Sequence, residues 1–179
     1  MNEAVILTSS KDLNGIGVVD LRTASPLVSN FKNCVADVGC ACIVGGLSSF
    51  SGHSSSTCDY ICVAQSKKPI INVWHWGKNQ VHMQCHVQEV ITSLASDRSG
   101  TYLIGGSKKG TITVWEISTG ALLVSWQAHF QDISKIKCHL DSYFFCSASS
   151  DGMARVWNLS TMLDTSKTKN GRQSVTPYK

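Results

Sequence analysis

The stretch from Val90 to Leu159 states one pattern twice. Val90-Ile-Thr-Ser-Leu-Ala is followed by the turn Asp97-Arg-Ser-Gly, then by Thr101-Tyr-Leu-Ile-Gly-Gly, the turn Ser107-Lys-Lys-Gly and Thr111-Ile-Thr-Val-Trp115-Glu-Ile. Ile133-Ser-Lys-Ile-Lys-Cys, Tyr143-Phe-Phe-Cys-Ser-Ala, the turn Ser149-Ser-Asp151-Gly and Met153-Ala-Arg-Val-Trp157-Asn-Leu repeat it. Gly110 to Gly152 is 42 residues, Trp115 to Trp157 is 42, and His86 to His129 is 43. Alternation of apolar and polar residues in six-residue runs marks strands. A period of this length, closed by Trp, is the sequence form of a propeller blade. The fold class is therefore expected to be all-β, built of four-stranded antiparallel sheets.

Upstream the pattern is weaker. Val38-Gly-Cys-Ala-Cys-Ile-Val44, Tyr60-Ile-Cys-Val-Ala64 and Ile70-Ile-Asn-Val-Trp74 form a blade interrupted by the Ser-rich loop from Ser48 to Thr57. Trp74 and Trp115 close their blades. Val19 stands where a closing Trp is due, so the first blade, Val5 to Val28, is degenerate and lacks an opening strand. Outer strands are predicted at Gln80–Cys85 and Ala121–Trp126. The blades fall near residues 1–33, 34–85, 86–128 and 129–163, and 164–179 is a polar basic tail expected to be disordered. Three and a half to four blades make a partial propeller, because a seven-bladed ring takes roughly 40–45 residues per blade. The expectation is therefore a fragment, splice form or incomplete gene model, with a closed four-bladed ring as the rival.

The net charge of +4 is concentrated at the end. Lys167, Lys169, Arg172 and Lys179 against Asp164 leave +3 in the last twenty residues. A near-neutral body argues against a broad nucleic-acid footprint, which needs clustered cations. Met1-Asn2-Glu3 does not open a signal peptide, and no apolar run reaches membrane-spanning length. The eight cysteines are then expected as reduced thiols, with Cys62, Cys138 and Cys146 acting as small hydrophobes within strands. His82, Cys85 and His86 invite a zinc reading, but an odd separation puts His82 and Cys85 on opposite strand faces. Cys40 and Cys42 share a face, with no second pair at zinc-finger spacing, so no metal is expected. Trp76 shares a strand face with Trp74 and is open to a core or a rim role. The Lys167–Lys169 run reads as a solvated tail rather than an import signal.

His129, Ser147, Asp151 and Trp157 imitate a hydrolase triad. Their placement is different: His129 precedes the first strand of its blade, Ser147 ends the second, Asp151 sits in the turn and Trp157 lies in the third. In WD-repeat blades these positions resemble a structural hydrogen-bonded tetrad, in which each buried polar group satisfies the next. A catalytic triad would need an exposed nucleophile and an oxyanion hole, so no catalytic residue is assigned. The preceding blade keeps His86 and Trp115 but has Lys109 in the Asp151 position, so its network is broken.

The segment from Glu89 to Leu163, above all Trp115-Glu-Ile-Ser-Thr-Gly-Ala-Leu-Leu followed by His129-Phe-Gln-Asp-Ile-Ser, is similar to the N-terminal half of the WD repeat-containing protein 18 family and its fungal counterpart. The resemblance implies a WD-repeat propeller acting as a non-enzymatic scaffold, without cofactor or small-molecule substrate, in maturation of the large ribosomal subunit. The implied partners are a Pro-, Glu- and Leu-rich scaffold, a testis-expressed subunit, the AAA ATPase midasin and, through them, pre-ribosomal particles. The implied place is the nucleolus and nucleoplasm, with some protein in the cytoplasm and, in fungi, a link to replication origins. A generic adaptor in signalling or ubiquitin ligation is the alternative, and a hydrolase the least favoured. Lys67, Lys68, Lys108, Lys109 and the Ser48–Thr57 loop are the candidate contacts.

Overall fold

The computed structural model describes residues 5–10, 15–20, 23, 26–28, 38–44, 60–75, 80–139 and 143–167. The Ser48–Thr57 loop, Trp76 and residues 168–179 lie outside them. Four antiparallel sheets succeed one another along the chain. The first holds β1 (Val5–Ser10), β2 (Gly15–Asp20) and β3 (Pro26–Val28). The second holds β4 (Val38–Val44), β5 (Tyr60–Gln65), β6 (Ile70–His75) and β7 (Val81–His86). The third holds β8 (Ile91–Ser96), β9 (Tyr102–Ser107), β10 (Thr111–Glu116) and β11 (Leu122–Gln127). The fourth holds β12 (Ile133–Cys138), β13 (Phe144–Ser149) and β14 (Ala154–Asn158).

Register irregularities show which strands correspond. Each first-to-second strand pair slips at its start, between Val38 and Cys40, Ile91 and Ser93, and Ile133 and Lys135. Each third-to-fourth pair slips at the Trp, between Val73 and Trp74 and between Val114 and Trp115. Extra residues of this kind bend a strand and increase its twist. In the first sheet β1 and β2 pair without a slip, and β2 and β3 slip between Val18 and Val19. These are thus second, third and fourth strands, and Val19 takes the Trp position.

The fourth sheet has no fourth strand among the described residues. A helix, α1 (Leu159–Lys167), packs instead on β11 and β14. Asn158 caps it, its Oδ1 accepting from the backbone N–H groups of Ser160 at 3.0 Å and Thr161 at 3.4 Å. Leu159 and Met162 are buried, with Leu163 packed beside them, a spacing that puts one apolar stripe on the core. The helix corrects the sequence reading, which ends ordered structure at residue 163 and starts a disordered tail at 164.

The core lies between blades. Cys62, Ile71 and Val73 of the second sheet meet Ile91, Leu94, Leu103 and Trp115 of the third. Ile104, Ile112 and Val114 of the third meet Ile133, Ile136, Phe145 and Trp157 of the fourth. Trp126 on β11 closes this second cluster, edge-on to Trp157 at 5.4 Å and near Phe145 at 6.4 Å. Two glycines set how closely the blades approach. Gly110 has φ +87°, and a Cβ there would lie 2.2 Å from the carbonyl oxygen of His129. A Cβ on Gly106 would lie 2.5 Å from Ile133 Cγ2 and 2.8 Å from its Cβ. Gly106→Ala is therefore expected to destabilise the chain by about 1–3 kcal/mol through overpacking, read as a lower midpoint in urea unfolding monitored by tryptophan fluorescence.

Candidate functional site

The densest polar arrangement among the described residues lies where the third blade hands over to the fourth. The backbone N–H groups of Ala128 and His129 both donate to the Gly110 carbonyl, at 3.0 and 2.9 Å. Gln127 Nε2 donates to the carbonyls of Lys109 and His129, each at 2.7 Å. These bonds hold His129 with its ring turned into the fourth sheet. There Nε2 lies 2.7 Å from Ser147 Oγ, and Nδ1 lies 3.0 Å from Asp151 Oδ2. Trp157 Nε1 donates to Ser147 Oγ at 2.9 Å. One proton assignment satisfies the whole chain: indole N–H to the Ser oxygen, Ser O–H to Nε2, and Nδ1–H to the carboxylate. Asp151 also accepts from the backbone N–H of Phe130 at 3.1 Å and of Met153 at 2.9 Å, so one side chain ties two turns together.

His129, Ser147 and Trp157 are at most 1 % exposed. Burial alone would raise the Asp151 carboxyl. The backbone N–H groups of Met153 and Phe130 and the His129 ring outweigh it and hold the group at about 2. Ser147 Oγ is enclosed, and both of its hydrogen-bond partners are side chains of the same blade.

The third blade differs, and the structure corrects the reading of His86. His86 ends β7 with an exposed side chain. By strand register Val87, which follows it, matches Ala128, its N–H donating to the Pro69 carbonyl as that of Ala128 donates to Gly110. The one-residue mismatch in the His86 spacing was the signal. Gly105 stands 42 residues before Ser147, and a Cβ there would lie 2.7 Å from Trp115 Cζ3, so the indole covers the space a hydroxyl would need. Glu89, which sequence reasoning missed, replaces the network at the rim. Its Oε2 accepts from Ser107 Oγ at 2.6 Å and its Oε1 lies 3.2 Å from Lys109 Nζ. Burial would raise Glu89, but Ser107 and Lys109 prevail and hold it below the usual carboxylate range.

Lys109 is 76 % exposed despite that pair, and Lys67, Lys68 and Lys108 are exposed on turns of the second and third blades. They do not converge with the tetrad. Trp74 and Trp115 are buried in their blades. His82 and His86 are exposed while Cys85 is buried on the other face of β7. Burial pushes the Cys40 and Cys138 thiols up to about 12, so neither is a ready nucleophile. Cys146 departs from its expected role as a small core hydrophobe, because it is exposed on the outward face of the fourth sheet. A groove of about 380 Å³ opens between the Asp97–Ser99 turn and Tyr143, Phe144 and Phe145.

The WD domain, G-beta repeat family matches residues 77–116 and 120–158, the two units of the internal repeat. These two segments carry WD repeats. The chain is 31 % identical over 169 residues to Protein ROOT INITIATION DEFECTIVE 3 of Arabidopsis thaliana, covering 94 % of this chain and 36 % of that one. It is 31 % identical over 167 residues to the pre-rRNA-processing protein IPI3 of Yarrowia lipolytica, covering 93 % and 36 %. WD repeat-containing protein 18 of Danio rerio is 37 % identical over 123 residues, 67 % of this chain and 28 % of that one. The chain spans about a third of the length of these relatives. Among solved structures, the WD40 repeats of RRP9 superpose with a TM-score of 0.59 at 17 % identity, over 70 % of this chain and 36 % of that one. A computationally designed protein, Ika8, gives 0.65 at 21 %, over 90 % and 45 %. Both likenesses concern the fold.

Ser147→Ala leaves the Trp157 N–H and His129 Nε2 without partners in a dry site. A loss of about 1–3 kcal/mol is expected, measured by urea unfolding. The Asp151 carboxyl is held below its unfolded value of about 4. Its contribution is therefore complete above pH 4 and is lost as pH falls through about 2. Asp151→Asn should flatten the fall in stability across that window, read from unfolding midpoints at pH 4, 3 and 2.

Proposed function

We propose that this chain is a non-enzymatic scaffold in ribosome biogenesis, acting in pre-rRNA processing by binding proteins through its blade surfaces. The observation that carries the reading is the homology to the Yarrowia lipolytica pre-rRNA-processing protein across 93 % of this chain. A tetrad enclosed in the fold supports a role without chemistry, and exposed lysines at blade turns supply polar contact points. The partners are proteins of the pre-ribosome maturation complex: the Pro-, Glu- and Leu-rich scaffold, the testis-expressed subunit and midasin. The chain works in the nucleus, in the nucleolus and nucleoplasm.

The test is affinity purification of the tagged 179-residue chain from nuclear extract, with partners identified by mass spectrometry. Recovery of the maturation complex is expected, and Lys68→Glu with Lys108→Glu should reduce it several-fold while leaving the tryptophan fluorescence of the fold unchanged. A reproducible partner set without pre-ribosomal proteins would overturn the assignment.

A further inference from the structure

Four of the described cysteines lie in the second blade: Cys40 and Cys42 on β4, Cys62 on β5 and Cys85 on β7. The pairing of β4 with β5 sets Cys42 directly opposite Cys62. Directly opposed residues of antiparallel strands carry their side chains on one face of the sheet. The third blade has Ala95 opposite Ile104 at this register, and the fourth has Lys137 opposite Cys146. The neighbouring thiols of the second blade are held elsewhere. Cys40, opposite Ala64, donates its S–H to the Ile91 carbonyl of the third blade at 3.8 Å. Cys85 lies beyond β6, opposite Ile71, so a whole strand stands between it and Cys62.

Cys62 is buried in the cluster that joins the second blade to the third, and Cys42 is half-buried against the same cluster. The two side chains are in hydrogen-bond contact, and that contact together with burial pushes the Cys62 thiol well up. Cys62 therefore keeps its proton, and Cys42 is the sulfur of the two that solvent reaches. Directly opposed residues have Cα atoms about 4.5–5.5 Å apart, inside the range of about 4.4–6.8 Å that disulfides span. Their Cβ atoms must draw in by up to roughly 1 Å to reach disulfide geometry. A bond made under that strain is more easily reduced, which suits a reversible closure rather than a permanent brace.

We propose that Cys42 and Cys62 are an oxidisable pair, which hydrogen peroxide closes into a cross-strand disulfide that latches β4 to β5. The Cys42 sulfur, as thiolate, attacks one peroxide oxygen; the O–O bond breaks, and the departing hydroxide takes up a proton as water. The Cys62 sulfur then attacks the Cys42 sulfenic acid. The S–S bond forms, the S–O bond breaks, and the Cys62 proton leaves with the hydroxide as a second water. Two thiols lose two electrons and two protons, and one peroxide becomes two waters. The latch falls on the strands that cover the third blade, because β4 and β5 both lie against β8. It also closes the chain between Cys42 and Cys62 into a loop, which restricts the unfolded chain and so favours the folded one. The inference is independent of the ribosomal reading.

The test exposes the full, reduced chain to a small excess of hydrogen peroxide, alkylates the remaining thiols and maps the linked peptides by mass spectrometry after chymotryptic digestion. Cuts after Phe50 and Tyr60 separate Cys40 and Cys42 from Cys58, and Cys58 from Cys62. A peptide pair joined through Cys62 is expected, released by dithiothreitol, lost in Cys42→Ser and retained in Cys40→Ser. The oxidised chain should show a higher urea midpoint than the reduced one, by tryptophan fluorescence, and Cys42→Ser should show no such rise. The proposal is overturned if the folded chain yields no link to Cys62, if Cys40→Ser removes the link and Cys42→Ser does not, or if Cys42 is found joined to Cys58 or Cys138 instead. A link that forms without raising the midpoint would overturn the latch.

Discussion

Every blade here depends on a neighbour, because a twisted antiparallel sheet of six-residue strands has two faces and can hide neither alone. The contact between successive blades is the interaction on which the rest hangs. Ile104, Ile112 and Val114 gain their burial only when Ile133, Ile136, Phe145 and Trp157 arrive. Removal of such apolar surface from water is the dominant favourable contribution to folding. The inner strands must approach closely for this to happen, and small side chains at Cys40, Cys42, Ser93 and Ala95 together with Gly106 allow it.

The polar networks serve the same contact. In the fourth blade, His129 reaches from the linker after β11 into the sheet, and Asp151 fastens the linker to the turn before β14. The third blade turns His86 to solvent and has its polar fastening at the surface, where Glu89 joins Ser107 and Lys109. Enclosure separates the two solutions. A network shielded from water keeps its full electrostatic strength, whereas a surface ion pair is weakened by solvent and salt. The blades are thus alike in backbone and unlike in the groups that secure them.

Much of this was legible in the sequence. Strand alternation and the 42-residue period mark the third and fourth sheets, and Val19 is visible as a stand-in for Trp. The four tetrad residues are distinguishable from a hydrolase triad by their positions around the turn. The misses have physical causes. His86 matched the repeat to within one residue, but on a strand one residue turns a side chain to the opposite face. Helix α1 was hidden because Asn158 both ends β14 and caps the helix, whose apolar stripe is only Leu159, Met162 and Leu163.

The sequence by itself determined the blade: its strands, its turns and the closing tryptophans, all set by local pattern and spacing. Which face of each blade is covered was decided by the tertiary structure alone. Cys62 and Cys146 both sit mid-strand in the same register position, yet one is buried and the other exposed. Periodicity separates the two faces of a strand, but burial belongs to whatever lies opposite, and only the assembled sheets show that blade three covers Cys62 while the lysine-bearing face around Cys146 meets solvent.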